Sequence, residues 1–357
     1  MTSIHSKQEL ESFLVTTAQE NASDLHLSVG CYPTIRIDGR LVPLSNKEIL
    51  NPQKTQDLIM ALLTDEQREK FLKDKEVDLS YQMDKTRFRV NVYYQRGFMS
   101  AAFRLIPSKV RPLEELSIPT SVYNFTSPSQ GFVLVVGPSG HGKSTTLAAL
   151  IDKINHERYE HIVTIEDPIE YVYTQDRCII DQREVHSDTD SFANALRSIF
   201  REDADVVLVG EMRDWETVST AVTAAETGHL VFATLHTNSA AQTIDRIIDS
   251  FPASQQNQIR SQLAANLLGI VSQRLIPRMG GGMVPAVEIM TANSAARNLI
   301  RENKVHQLDL VINTSADEGM ISLNGSLATL VKNREISMES AEIFSTNVGD
   351  LRMLLQR

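Results

Sequence analysis

"VLVVGPSGHGKSTTLAAL" (residues 133–150) sets an apolar run against an amphipathic one, with a turn rich in glycine and serine between them. The turn, Gly137-Pro138-Ser139-Gly140-His141-Gly142-Lys143-Ser144, fits the pattern G-x-x-x-x-G-K-[ST]. It also has the required setting, a buried strand "GFVLVVG" before it and a helix from Lys143 after it. In that setting glycines let backbone N–H groups turn inward around a β-phosphate, and the helix N-terminus adds a favourable dipole. Lys143 would reach the β- and γ-phosphates, and the Ser144 hydroxyl would bind Mg2+. Ser139, Gly140, His141, Gly142, Lys143, Ser144 and Thr145 are therefore the candidate nucleotide-binding residues, with ATP and Mg2+ as the expected ligands.

Downstream the chain keeps the same rhythm. "HIVTIED", "DVVLVGE" and "HLVFATLH" are three more short apolar strands bounded by charge or glycine and separated by helices. Such strands imply an α/β fold with a parallel-rich sheet covered on both faces. The tail beyond Ala292 reads as short helices. Upstream the pattern is α+β. A helix over Lys7 to Asn21 leads into "SDLHLSVG", and "TIRIDGRLVPL" is a hairpin candidate with Asp38-Gly39 at its turn. One helix from Pro52 to Lys73 follows, then the strands "EVDLSYQM", "RFRVNVYYQ" and "SAAFRLI", giving a small sheet with helices on one side. "PSKVRPLEELSIP" carries three prolines and reads as a linker. The expected division is 1–106 for the smaller domain, 107–119 for the linker and 120–357 for the P-loop domain with its C-terminal helices.

The 357 residues are 42% hydrophobic and 22% charged, the balance of an ordinary globular chain. The N-terminus lacks the basic start and apolar stretch of a secretory signal, and no apolar run approaches the roughly eighteen residues needed to span a bilayer. Membrane association is expected only through partners, and the location is expected to be cytoplasmic. The two cysteines, Cys31 and Cys178, form no CxxC pair, which excludes a four-cysteine zinc site within the chain. Residues 1–105 carry equal numbers of basic and acidic side chains, so the net charge of −10 lies entirely in the remainder. That balance argues against nucleic acid as a partner.

Three further stretches carry chemistry. "DVVLVGEMRD" puts Glu211 at the end of an apolar strand beside the P-loop, where a carboxylate can hold the Mg2+ shell. "TIEDPIEYV" offers Glu166, Asp167 and Glu170 at another strand end, where one carboxylate could orient and deprotonate an attacking water. Spacing does not separate Glu166 from Glu170. "TGHLVFATLHTNSA" places His229 and His236 at opposite ends of one strand, with His236 at the phosphate edge.

The order "GPSGHGKST", "TIEDPIEY", "DVVLVGEMRD", "GHLVFATLHT" resembles the Walker A, Asp box, Walker B and His box of the secretion ATPase superfamily, which drives type II secretion and type IV pili. Within it the chain looks like the branch that retracts type IV pili. "ASDLHLS", "RFRVN", "QREVHSDT" and "SAARNLIRENKV" are close to that branch's versions. Two departures are Ala296, where the branch signature AIRNLIRE has Ile, and His141, where Ser is usual; neither is expected to bear on the chemistry. The resemblance implies a hexamer of subunits with a PAS-like first domain and a RecA-like second domain, with ATP bound between them. It implies that Glu170 is the general base and Glu211 the Mg2+-associated carboxylate. It also implies that Arg89 and Arg104 reach the phosphates. The implied work is pilus retraction, with an inner-membrane platform protein as partner and a second retraction ATPase as a further candidate.

Two rivals remain beside retraction. Pilus-extension and type II secretion assembly ATPases usually carry an added N-terminal domain and a four-cysteine zinc module, which this chain lacks. A RecA-like DNA translocase is disfavoured by the acidic balance. The helix in "SAARNLIRENKV" is expected to bury Ala295, Leu299, Ile300 and Val305 and to turn Arg297, Asn298, Arg301 and Glu302 outward, a pattern that by itself marks a core element; the resemblance implies that it is a coupling element.

Overall fold

A computed structural model describes residues 2–37, 39–83, 86–107 and 109–356, and it divides into two units. One comprises 1–109 with 170–172; the other holds the remainder. The smaller begins with α1 (Thr2–Gln19), β1 (Asp24–Leu27), β2 (Thr34–Ile37) and β3 (Arg40–Pro43). β2 and β3 form the expected hairpin with Ile37 opposite Arg40; Asp38 at its turn lies outside the described residues. α2 (Pro52–Leu62), α3 (Asp65–Asp74), β4 (Glu76–Met83), β5 (Thr86–Gln95) and β6 (Phe98–Ile106) complete it.

The single helix expected from Pro52 to Lys73 is two. Thr64 caps α3 with its hydroxyl on the Gln67 N–H, while the Gln67 side chain returns to the Thr64 N–H. This reciprocal capping box satisfies two orphan donors and starts a new helix where the apolar period alone gave no break. The strands form one antiparallel sheet in the order β3-β2-β1-β6-β5-β4. Leu25, Ile35, Phe103, Val90 and Leu79 are neighbours in register on one face, buried in one core with Leu10, Phe13 and Leu14 of α1. The opposite face carries Arg36, Asp24, Arg104, Arg89 and Ser80 in one row across five strands.

The larger unit starts at Val110, so most of the proline-rich stretch read as a linker groups with it. Leu113 is fully buried, and its N–H donates to the Tyr123 hydroxyl at 2.9 Å. The elements that follow are β7 (Gly131–Val136), α4 (Lys143–Glu157), β8 (His161–Glu166), β9 (Ile179–Glu184), α5 (Phe192–Ile199) and β10 (Val206–Val209). Next come α6 (Trp215–Glu226), β11 (Leu230–Leu235), α7 (Ala240–Asp249), α8 (Gln256–Asn266), β12 (Leu267–Pro277) and β13 (Met283–Thr291). The tail folds as α9 (Ser294–Arg301), α10 (Leu308–Thr314), α11 (Leu323–Lys332), α12 (Met338–Phe344) and α13 (Val348–Gln356), with short 3-10 turns between.

Its sheet runs β13-β12-β7-β11-β10-β8-β9 and is parallel except for the β12–β13 pair. All six residues of β7 are buried. Phe132, Leu134 and Val136 enter the main core with α5 to α9, and α4 packs against β7 as well. This is the α/β fold with a parallel-rich sheet that the sequence implies. Such sheets bind ligands beyond the carboxyl ends of their strands, and here β7, β8, β10 and β11 all end on that edge.

One expectation about the tail fails. Ala295 is exposed, whereas Ala296 is fully buried together with Ile300. Arg297 does not turn outward. Its guanidinium donates to the Ala292 carbonyl at 2.7 Å, to the Ala264 carbonyl at 2.8 Å and to the Ala265 carbonyl. The last carbonyls of α8 lack intrahelical partners, and a cation there satisfies them and the helix dipole together.

Candidate functional site

The P-loop closes around its own lysine. Lys143 is the first residue of α4, and its Nζ donates to the Gly137 carbonyl at 2.9 Å and the Pro138 carbonyl at 3.0 Å. Gly137 adopts φ +147°, and a Cβ there would stand 2.3 Å from the Gln273 carbonyl oxygen. Gly142 caps α4 at φ +81°, with the Gln273 side chain where a Cβ would go. Both glycines are thus fixed by close approach as well as by conformation. Ser139 and Gly140 are exposed at the loop tip, and Ser144 and Thr145 are half-buried in the first helical turn.

β12 holds this loop. Gln273 Nε2 donates to the His141 carbonyl at 2.9 Å, and its Oε1 accepts from the Thr146 hydroxyl at 2.6 Å. The Leu275 N–H donates to His141 Nδ1 at 2.9 Å, so the ring keeps a lone pair there. Burial, with Lys143 and Arg274 nearby, holds the His141 pKa below its ordinary value and keeps that acceptor available. His141 therefore helps to set the loop's shape.

Glu211 lies one residue past Gly210, beyond the end of β10. Arg213 Nη2 is 2.8 Å from its Oε2 and His236 Nε2 is 3.1 Å from its Oε1. Lys143 Nζ is 3.5 Å from His236 Nδ1. A neutral ring with its proton on Nε2 satisfies both contacts, donating to Glu211 and accepting from Lys143. Burial pushes the Glu211 carboxyl up, but Arg213, His236 and Lys143 together hold it below its usual range. A cavity of about 460 Å³ opens beside this pair, lined among others by Arg213, Gln242 and Arg246. A second, of about 250 Å³, lies against Gly142 and Thr145, with Leu116, Ile118, Leu275 and Met283 on its walls.

The two carboxylates that spacing left open differ in environment. Glu166 is buried, accepting from the Thr164 hydroxyl at 2.7 Å and the Gln182 amide at 3.3 Å. Glu170 is exposed and groups with the smaller unit. Arg89 and Arg104 also belong to that unit. His229 precedes β11 at the far end from His236, with Nδ1 3.0 Å from the Ala224 carbonyl and its ring edge-to-face with Phe200. It takes no part in the cluster around Lys143. The larger unit thus gathers Lys143, Ser144, Glu211 and His236 at one sheet edge. Arg213 and Gln273 were missed by sequence reasoning. Arg213 was within reach, two residues beyond Glu211 in "GEMRD"; Gln273 sits on a strand that carried no motif.

Among the described residues no three His, Cys, Asp or Glu side chains converge to hold a metal. The side chains at this edge that could hold a cation are the Ser144 hydroxyl and the Glu211 carboxylate, with phosphate oxygens and water completing a shell of the kind Mg2+ takes. The family model described as Type II/IV secretion system protein matches residues 6–337. The type IV pilus retractation ATPase PilT of Pseudomonas aeruginosa is 48% identical over 339 residues, covering 93% of this chain and 97% of that protein. A twitching motility protein of Neisseria gonorrhoeae is 46% identical over 313 residues, covering 87% of this chain and 83% of its own. A crystal structure of the pilus retraction motor PilT with bound ADP superposes with a TM-score of 0.90 at 46% identity, covering 96% of this chain and 98% of that one.

Proposed function

Since the chain belongs to the Type II/IV secretion system protein family, we propose that this ATPase works as the motor that retracts type IV pili. The observation that carries the reading is the near full-length likeness to a retraction ATPase, laid over a P-loop whose lysine, Glu211 and His236 are already in contact. The chemistry assigned to each residue follows from its surroundings. The P-loop N–H groups and Lys143 hold the β- and γ-phosphates, with phosphate oxygens taking the place of the loop carbonyls on Nζ. Ser144 and Glu211 hold Mg2+, which when bound offsets phosphate charge. Glu211 stays ionised at neutral pH because Arg213 and Lys143 face it and the His236 ring donates to it. The cavity beside Thr145, with Leu116, Ile118, Leu275 and Met283 among apolar walls and Arg111, Glu115 and Arg278 as polar ones, is proposed to take the base.

Glu170 is proposed as the general base. Glu166 is buried and already accepts from the Thr164 hydroxyl and the Gln182 amide, so it is poorly placed to meet an attacking water. Arg89 and Arg104 are proposed to offset charge on the transferring phosphoryl. The working form is proposed to be a homohexamer that acts on an inner-membrane platform protein. None of the helices among the described residues is long and apolar enough to cross a membrane, and the proposed attachment to that membrane is through the partner.

Deleting the gene and counting surface pili beside twitching tests the reading. Hyperpiliated, non-motile cells rescued by the wild-type gene but not by Lys143→Ala are the expected result. Bald cells would transfer the protein to pilus extension.

A further inference from the structure

The loop from His236 to α7 is pinned from the side opposite the P-loop. Glu288, on β13, is 8% exposed, and its Oε1 accepts the N–H of Ala240, the first residue of α7, at 2.7 Å. Its register partner on β12 is Ser272, whose hydroxyl donates to the Asn238 carbonyl at 3.0 Å. Gln273, the next residue, lies on the other face of β12 and holds the P-loop. Successive strand residues point to opposite faces, so one short stretch of β12–β13 sets both halves of the site. Between His236 and Ala240, whose N–H Glu288 holds, there are only three residues, and Thr237 is buried among them with its hydroxyl 2.7 Å from that of Thr243.

A carboxyl is a costly choice for this place. Among the described residues the charged groups acting on Glu288 are Arg274 of β12 and Asp309 of α10, and α7 presents its N-terminal N–H. Burial, with Asp309 adding to it, raises the Glu288 pKa to about 7 against the opposing pull of Ala240 and Arg274. An amide or hydroxyl would accept the same N–H without that cost. What only an ionised carboxyl supplies is a charge-assisted bond to the positive end of α7.

We propose that Glu288 is a positioning residue for ATP hydrolysis, holding the N-terminus of α7 and through it the loop that fixes His236 against Glu211 and Lys143. The proposal rests on the reading of His236 as part of the site. Ionisation tightens the bond to α7, so kcat rises as Glu288 loses its proton, while nucleotide affinity, set by the P-loop, changes little.

The experiment is steady-state ATPase kinetics of the full-length protein from pH 6 to 8.5, with melting curves, for wild type, Glu288→Gln and His236→Ala. Glu288→Gln keeps an acceptor for the Ala240 N–H and loses the charge. Its kcat should fall about fivefold at pH 8, roughly the gap between a charge-assisted and a neutral hydrogen bond. Its KM should stay within about twofold, the rise of kcat near pH 7 should flatten, and its Tm should hold or increase. Wild-type kcat with an unchanged pH profile overturns the proposal, as does a loss of kcat that simply follows a loss of Tm. If His236→Ala is impaired while Glu288→Gln matches wild type, only the role of Glu288 is lost. If His236→Ala hydrolyses at the wild-type rate, the site reading fails and this inference goes with it.

Discussion

Arg89 on β5 and Arg104 on β6 are register partners, side by side on the exposed face of the smaller unit's sheet. Two guanidinium groups placed opposite one another repel, at a cost of a few tenths of a kcal/mol or more. Asp24, the partner of Arg104 on β1, relieves half of this with a 2.9 Å contact to Arg104 Nε, and Arg36 flanks it at 3.7 Å. Arg89 has no carboxylate partner among the described residues and remains available to an anion.

The two arginines should therefore behave differently when removed. Arg89→Ala should lower kcat more than ATP affinity and leave the melting temperature unchanged. Arg104→Ala should lower kcat too, but also cost stability, because Asp24 is mostly buried and loses its closest cation. Identical melts for the two variants would show that the Asp24 contact adds nothing. An unchanged kcat in both would take them out of the chemistry.

Glu170→Gln should bind ATP and hydrolyse it at least about a hundredfold more slowly, the usual scale for a lost general base. Glu166→Gln should act mainly on stability. Its new amide would set donors against the Thr164 hydroxyl and Gln182 amide, an effect on the order of 1–3 kcal/mol. Single-turnover assays beside melting curves separate the two, and the reverse pattern moves the base to Glu166.

Arg297→Ala should unfold several degrees below wild type, since three carbonyls lose a charged donor worth on the order of 2 kcal/mol. Glu302→Ala, on the exposed turn beyond α9 and paired with Lys304, should melt like the wild type. If Arg297→Ala melts normally and abolishes only pilus retraction, the guanidinium has a role outside this fold.

His161 gives the larger unit a dependence on pH. Burial alone would lower its pKa, but Asp181 at 3.0 Å and the carbonyls of Asp203 and Glu202 raise it above the ordinary 6.5. Its contribution is complete below the unfolded pKa and is lost as pH rises through the higher folded value. Glu288 acts over a lower window. A carboxyl raised to about 7 binds its proton more tightly when folded, so stability falls as pH climbs from its unfolded 4.5 toward 7. Tm should decline across both ranges, and His161→Asn should remove the slope above pH 6.5 while leaving the lower one. A profile identical to wild type would mean the Asp181 contact is not an ion pair.

The P-loop, its strand and the order of apolar strands were legible because glycine, lysine and uninterrupted valine runs have local causes. The division of one helix at Thr64 was not, since a capping box interrupts no apolar period. Arg297 misled for a different reason. Periodicity assigns faces to one helix in isolation, and it cannot see the carbonyls of α8 waiting thirty residues upstream. His141 was set aside as a harmless departure from Ser, and its contact with Leu275 comes from the β12–β13 pair, which carried no motif. Glu166 and Glu170 are equal in spacing and unequal in surroundings, and surroundings are set by tertiary packing.

The hold of Gln273, Leu275 and Thr146 on the P-loop bears on how nucleotide binding energy is used. A loop already shaped by a neighbouring strand has little conformational entropy left to lose when a phosphate enters. Pre-organisation of this kind leaves most of the free energy of ATP binding unspent within the loop itself. A switch would consume that energy in ordering its own binding site. A machine that must pull on something else is better served by a rigid cradle, which passes the energy outward.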